Sequence, residues 1–149
     1  MKRVVILGIG LLLAAMASAA APNPAAPYIG VYKPWSRGCG GAVFLREKTV
    51  EWHATWNTCE RRPYKVLEVA ARNELPRIAV QIEKPSRQCG FEVLEIQQEN
   101  SRPSSMWALR AYPTLESYEK RDLPEWQDSP LPERAVPMCP LDPRPDPRQ

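Results

Sequence analysis

The sequence has few of the residues on which catalytic and metal-binding sites are usually built. It contains a single histidine, His53, which excludes a histidine-cluster metal centre. The cysteines show no C-x-x-C spacing, which argues against a zinc site. No serine stands in a G-x-S-x-G context. We therefore expect no catalytic residue, no metal and no cofactor.

Long apolar runs are absent beyond the first twenty residues. Lys2 and Arg3 precede an apolar stretch, and small residues in an A-x-A arrangement follow at 17–19. This order predicts a secretory signal peptide over residues 1–19, cleaved at Ala19 or one residue later. The stretch is too short for a membrane anchor, which needs about 20 apolar residues. The expected location is the periplasm or the exterior, with no membrane span in the mature chain.

The chain also has little net charge. Its formal charge of +3 falls to +1 when Lys2 and Arg3 leave with the signal peptide. A nearly neutral chain lacks the excess of basic residues that marks nucleic-acid-binding proteins, so we do not expect nucleic acid as a partner. Roughly 130 residues remain after cleavage, enough for one domain with a buried core.

A strand-like alternation of apolar and polar residues runs from Thr49 to Cys59. The apolar positions are Val50, Trp52, Ala54 and Trp56, and the polar ones are Glu51, His53 and Thr55. A period of two predicts one strand with one buried face, and both indoles are expected in the core.

Six further segments carry strand signals and are separated by turn residues. They are residues 28–32, 42–46, 64–71, 77–83, 89–98 and 106–112. The phase changes between Val93 and Leu94, which predicts either a bulge or a strand covered on both faces. The pattern predicts an all-β, mainly antiparallel fold, a small barrel or sandwich of six to eight strands, within a single domain over 28–140.

The two ends of the chain differ in composition from the predicted strands. Residues 20–27 read as a flexible lead-in. Residues 114–122 predict a short helix with Thr114 as N-cap. The proline-rich segment from Leu123 predicts an extended arm that stays out of the sheet, and residues 141–149 predict a disordered tail.

An even number of cysteines in an exported chain predicts two disulfides. The cysteines are Cys39, Cys59, Cys89 and Cys139. Three pairings are possible, and we expect Cys39–Cys59 and Cys89–Cys139. The first would close a loop of about 20 residues and stabilise the fold by roughly 3 kcal/mol.

Aromatic residues with a polar group dominate, with five Trp and five Tyr against two Phe. Such rings suit half-wet binding surfaces. A rim of them, together with arginines able to hold an anion, is the predicted binding site. Its residues are Tyr32, Trp35, Arg37, Arg61, Arg62, Tyr112 and Trp126. The alternative is that the rings cap the barrel and anchor the proline-rich arm, and that the arginines lie in solvated turns.

These features favour an exported, disulfide-stabilised β-domain that acts by binding. The partner would be a protein, as for an inhibitor or immunity protein, or an envelope glycan. One alternative is a small periplasmic hydrolase that uses His53 or a carboxylate pair. The carboxylates on predicted strands are Glu51, Glu68, Glu83, Glu92 and Glu95. A second alternative is a structural envelope protein.

Overall fold

The computed structural model describes residues 21–70, 74–100, 106–134 and 136–144. The strands are β1 (Gly30–Pro34), β2 (Val43–Leu45), β3 (Thr49–His53), β4 (Thr58–Val69), β5 (Arg77–Ile82), β6 (Val93–Glu99), β7 (Met106–Tyr112) and β8 (Met138–Arg144). The helices are α1 (Leu115–Glu119), α2 (Pro124–Gln127) and α3 (Leu131–Arg134). The predicted signal peptide lies outside the described residues.

The strands form one closed antiparallel barrel in which each strand pairs with its neighbours in sequence. Strand β1 also pairs with β8, and this pairing closes the sheet. Closure matters because an open sheet would leave two edges with unpaired backbone groups. The prediction of a small, all-β antiparallel barrel is confirmed.

The barrel interior is filled by a continuous apolar core. Every second residue of β5 contributes to it, as the alternation over 77–83 predicts: Ile78, Val80 and Ile82 are buried. The core reaches back into the predicted lead-in, where Ala25 is fully buried and Ala26–Tyr28 forms a 3-10 turn. The expectation of a flexible segment over 20–27 is therefore wrong from Ala25 onward.

The central stretch of the sequence is two strands and not one. Strand β3 ends at His53, and the backbone N–H of Ala54 donates to the carbonyl of Asn57 at 2.9 Å across a turn. Trp52 is 2% exposed, whereas Trp56 lies in the turn and is 87% exposed. The prediction is right for Trp52 and wrong for Trp56. Cys59 belongs to β4, which also contains residues 60–63 that the sequence assigned to a turn.

Strand β6 is covered on both faces. Leu94 and Ile96 belong to the barrel core, while Val93 packs outside it against Tyr112 and Tyr118. The registers of β6 with β5 and β7 are unbroken. The alternative of a strand buried on both sides is therefore right, and the bulge is not found there.

The proline-rich segment does not form an extended arm. It folds into α2 and α3 and then enters the sheet as β8, which pairs with both β7 and β1. Residues 141–144, assigned to a disordered tail by the sequence, are part of β8. Residues 145–149 of that predicted tail are not described. The expectation failed because proline removes only its own N–H from the ladder: the carbonyl of Pro140 still accepts from Trp35 N–H at 3.1 Å.

Helix α1 begins as the sequence predicts. Thr114 is its N-cap, and its side chain accepts a hydrogen bond from the backbone N–H of Ser117 at 3.1 Å. The Ser117 hydroxyl accepts from the backbone N–H of Thr114 in return. This reciprocal capping box satisfies two backbone donors that the helix cannot satisfy itself. No helix in the described ranges is both long and apolar enough to span a membrane.

The disulfides join Cys39 to Cys139 and Cys59 to Cys89, with Cα–Cα distances of 5.8 and 4.2 Å. The pairing expected from the sequence is therefore wrong. Cys39 can reach Cys139 because closure of the barrel brings β8 beside the loop that follows β1. Cys59 can reach Cys89 because the loop before β6 lies against the start of β4, where Thr58 N–H donates to the carbonyl of Gln88. Two disulfides indicate that the protein folds in an oxidising compartment.

Candidate functional site

The residues predicted to form a binding rim are spread over the molecule. Tyr32 and Tyr112 are buried, and their hydroxyls donate to the carbonyl of Tyr28 at 2.5 Å and to Glu95 Oε2 at 2.8 Å. The expectation that these two rings are exposed is wrong, because barrel closure and α1 cover them.

The predicted arginine group is also divided. Arg61 and Arg62 lie on β4 and not in a turn. Arg61 pairs with Glu51 at 3.2 Å, and Arg62 pairs with Glu60 at 3.1 Å. Arg37 lies in the loop after β1, and no described contact joins it to the other two. The described contacts therefore pair Arg61 and Arg62 with carboxylates and do not bring Arg37 to them.

Exposed apolar side chains gather at one end of the barrel. Trp56 is 87% exposed, Trp35 70% and Met138 54%. We call the surface formed by these three residues the tryptophan end. Large apolar side chains grouped in this way are typical of surfaces that contact another molecule.

The segments that carry the tryptophan end are held together by backbone contacts. Trp35 N–H donates to the carbonyl of Pro140 at 3.1 Å, and Thr55 Oγ1 donates to the carbonyl of Arg37 at 2.8 Å. Gly40 has a φ of +74°, and a Cβ there would lie 2.3 Å from Thr55 N. Only glycine allows this approach. The loops that carry the exposed rings are therefore held in place by hydrogen bonds and close backbone packing.

A cleft of about 270 Å³ opens between these loops. Trp52 and Phe91 line it, stacked with ring centroids 5.4 Å apart, and the Cys39–Cys139 disulfide lines it from the other side. The indole N–H of Trp52 is buried and has no hydrogen-bond partner among the described residues. The cleft therefore adds an apolar recess beside the exposed rings.

A second cleft, of about 280 Å³, lies on the outer face of β5–β7 beside the helices. We call it the arginine cleft and define it by Arg77, Arg110, Arg121, Glu95 and Trp126, which line it. Two residues of the predicted site, Tyr112 and Trp126, are brought together here.

The charges around the arginine cleft form a network. Arg121 bridges Glu68 at 2.8 Å and Glu95 at 3.8 Å, and Arg77 also contacts both carboxylates. Arg110 pairs with Glu99 at 2.8 Å. Glu95 is only 1% exposed, so its carboxylate is the buried centre of the network. A buried carboxylate is tolerated only when cations and hydrogen-bond donors surround it.

Two tyrosines serve this network as donors. Burial raises the pKa of Tyr112, and the adjacent Glu95 raises it further. Burial likewise raises the pKa of Tyr118, whose hydroxyl donates to Glu68 at 2.6 Å. Both phenols therefore stay protonated and donate to the carboxylates at physiological pH.

The sequence analysis missed Arg77 and Arg121, and it named Glu95 only as one of several carboxylates on predicted strands. A signal was present, because Glu95 interrupts a run of apolar residues in a strand for which the sequence allowed either a bulge or cover on both faces. Its partners could not be identified, since Arg77 and Arg121 come from β5 and from the segment after α1.

The geometry does not favour the hydrolase alternative. His53 Nε2 lies 2.7 Å from Glu51 Oε1, and the same carboxylate pairs with Arg46 and Arg61. The contacts described for His53 include no hydroxyl or thiol that it could activate. Glu68 contacts Arg77 and Arg121, which help keep it ionised and unsuited to act as a general acid.

A metal site would need several converging ligands. No group of three or more His, Cys, Asp or Glu side chains in the described ranges is placed to hold a metal ion.

The fold and the two clefts define a closed, eight-stranded, antiparallel barrel with two disulfides and two candidate binding surfaces. No known protein family, no curated protein and no solved structure matches the chain.

The ionic network predicts a pH dependence of stability. Burial opposes ionisation of Glu68, but hydrogen bonds from Tyr118 and Arg121 and the charges of Arg77 and Arg121 outweigh it, so its pKa is lowered. A lowered folded-state pKa contributes stability that is present above the unfolded-state pKa and is lost as pH falls through the folded-state value. The stability advantage of the wild type over Glu68→Gln should therefore shrink as pH drops below 4.5, the ordinary value.

Urea unfolding at a series of pH values from 7 downward would measure this difference. Glu125→Gln, on the exposed surface of α2, is the matched control. The same pH dependence in both variants would contradict the role given to Glu68.

Proposed function

We propose that the protein is exported to the periplasm or the exterior and acts by binding a protein partner through the tryptophan end. The exposure of Trp56, at 87%, is the observation that carries this proposal. An indole left in water on a braced loop has little role in folding, whereas tryptophan is among the residues that contribute most to protein interfaces. The signal-like N-terminus and the two disulfides support export.

The surroundings of the tryptophan end indicate the chemistry of the partner. Arg37 and Arg87 are exposed on the loops that flank Trp35 and Trp56. Tryptophan and arginine together are enriched at binding hot spots. The partner should therefore present an apolar groove bordered by carboxylates. Exposed indole rings on loops held in place by hydrogen bonds suit insertion into a cleft of the partner, as an inhibitor would use them.

The experiment has two stages. A photo-crosslinking residue at position 56 in the full-length precursor, expressed in cells, identifies the partner, and the purified partner is then used for affinity measurements. The control position for both stages is Leu123, an exposed apolar residue between α1 and α2.

Trp56→Ala is expected to weaken binding of that partner by about 30-fold, since a hot-spot residue contributes at least about 2 kcal/mol. Leu123→Ala should leave the affinity within threefold. Cross-links from position 123 alone, no adduct at position 56, or an affinity loss below threefold for Trp56→Ala would each refute the proposal.

A further inference from the structure

We propose that the arginine cleft is a second, separate binding site that takes a neutral glycan, with one sugar hydroxyl held between Arg77 and Glu95. This site does not depend on the tryptophan end, and it assigns a ligand to a surface that the protein-binding proposal leaves unused.

The first argument is a pair of unsatisfied polar atoms. Arg77 Nε and Glu95 Oε1 are buried, and neither has a hydrogen-bond partner within the described residues. They lie 4.0 Å apart, too far for a hydrogen bond between them. One is a donor and the other an acceptor. A hydroxyl group can accept from the first and donate to the second at once.

The second argument is charge balance. The arginines that line the cleft are Arg77, Arg110, Arg121 and Arg134. The carboxylates that line it or pair with these arginines are Glu68, Glu74, Glu95, Glu99 and Asp122. Arg77, Arg110 and Arg121 are each paired with at least one of these carboxylates, so most of the positive charge lining the cleft is neutralised. The ligand that satisfies the unpaired donor and acceptor should therefore be uncharged.

The third argument is the composition of the remaining lining. Trp126 provides a half-buried ring, and Gln97 and Gln127 provide amide groups. A sugar presents apolar C–H faces and a rim of hydroxyls, so it fits a site that combines an aromatic ring with planar polar groups. The Gln97 amide already donates to Glu99, so the exposed amide of Gln127 is the one that a polar ligand would meet.

The size of the cleft limits the length of the ligand. Its volume of about 280 Å³ lies near the lower end of the range for small-molecule sites, about 300–1,000 Å³. An adjoining cleft of about 310 Å³ shares Arg77 and Gln97 with it. We therefore expect a short oligosaccharide with one unit in each cleft.

Access to the unpaired atoms requires a side-chain movement. Arg121 Nε lies 3.8 Å from Glu95 Oε1, and its guanidinium stacks on the ring of Tyr118 at 4.0 Å. Rotation of this guanidinium away from Glu95 would open the floor of the cleft. The hydroxyl of the ligand would then take its place beside the carboxylate.

Saturation-transfer NMR on the purified mature protein tests the proposal with defined probes. The neutral probes are hexaoses of β-1,4-glucose, α-1,4-glucose, β-1,4-mannose and β-1,4-N-acetylglucosamine, and the acidic probe is an oligogalacturonate. At least one neutral hexaose is expected to bind with a dissociation constant below 1 mM, and the acidic probe is expected not to bind.

Variants separate the site from the fold. Arg77→Lys keeps the charge but removes the Nε donor, and it should weaken binding at least tenfold. Trp126→Ala lies outside the barrel core and should weaken it to a similar extent. Arg61→Lys, an exposed arginine on β4, is the control and should bind as the wild type does.

Circular dichroism melting verifies that each variant is folded. Binding of the acidic probe alone, binding of none of the neutral probes, or full affinity in both cleft variants would overturn the proposal. The last result would mean that a water molecule bridges Arg77 and Glu95. None of these results bears on the tryptophan end, which Trp56→Ala tests separately.

Discussion

Replacing Cys39 and Cys139 together by alanine is expected to lower the free energy of unfolding by about 4.7 kcal/mol. The disulfide closes a loop of 100 residues, so it removes much of the conformational freedom of the unfolded chain. Replacing Cys59 and Cys89, which close a loop of 30 residues, should cost about 3.6 kcal/mol on the same basis. Since small domains have only about 5–15 kcal/mol in total, either loss is large.

The Cys39–Cys139 disulfide should also matter because it lies next to the pairing of β1 with β8, which closes this barrel. Strand β1 meets β8 at four paired positions, and two of these contain a proline, Pro34 or Pro143. Proline has no backbone N–H to donate, so this seam is a weak part of the ladder. Trp35 N–H continues the seam to Pro140, and the Cys39–Cys139 bond lies just beyond it. The covalent bond therefore holds the seam that closes the sheet.

Urea unfolding of the two double variants would measure the free energies, and hydrogen exchange would locate the change. In the Cys39/Cys139 variant the amides of β1 and β8 should exchange faster than those of β5 and β6. Peptide mapping without reduction should recover Cys39 linked to Cys139. A Cys39–Cys59 link, or faster exchange confined to β4, would contradict the structure.

Local signals in the sequence were sufficient for much of the barrel. Strand β7 begins and ends where the sequence predicts, because its turn residues and alternation agree. Strand β5 and the Thr114 cap were predicted for the same reason: each depends on residues only a few positions apart. The fold class followed from the number and spacing of such segments.

The wrong predictions share a different cause: each concerns a feature that depends on residues far away in the chain. The alternation of apolar and polar residues continues past His53, but the turn that ends β3 packs against Gly40, a contact that no local pattern predicts. The disulfide pairing and the proline-bearing β8 both follow from closure of β1 on β8.

The arginine cleft was hidden for the same reason. Glu95, Arg77 and Arg121 are separated along the chain and meet only when β5, β6 and the segment after α1 are assembled. A buried carboxylate is visible in the sequence as an interruption of an apolar run, but the cations that stabilise it are not. The site could therefore be suspected from the sequence and not constructed from it.

Trp52→Ala is expected to lower the free energy of unfolding by about 3–5 kcal/mol. The indole is 2% exposed, stacks on Phe91, and lies in a strand between Val43 and Cys59 of the neighbouring strands. Its removal would leave a cavity that these paired strands cannot close by relaxing. Trp56→Ala, by contrast, should change stability by no more than about 0.5 kcal/mol, because its side chain is in water.

Trp52→Phe tests how much of the stability is kept when one aromatic ring remains in the core. Phenylalanine retains an apolar ring and removes the indole N–H that has no partner among the described residues, so its cost should stay below about 1.5 kcal/mol. Urea unfolding followed by circular dichroism would compare all three variants without relying on tryptophan fluorescence. Equal losses for Trp52→Ala and Trp56→Ala would mean that both indoles lie on one buried face, as the alternation alone predicted. A large difference requires the turn after His53, and with it the exposed position from which Trp56 can reach a partner.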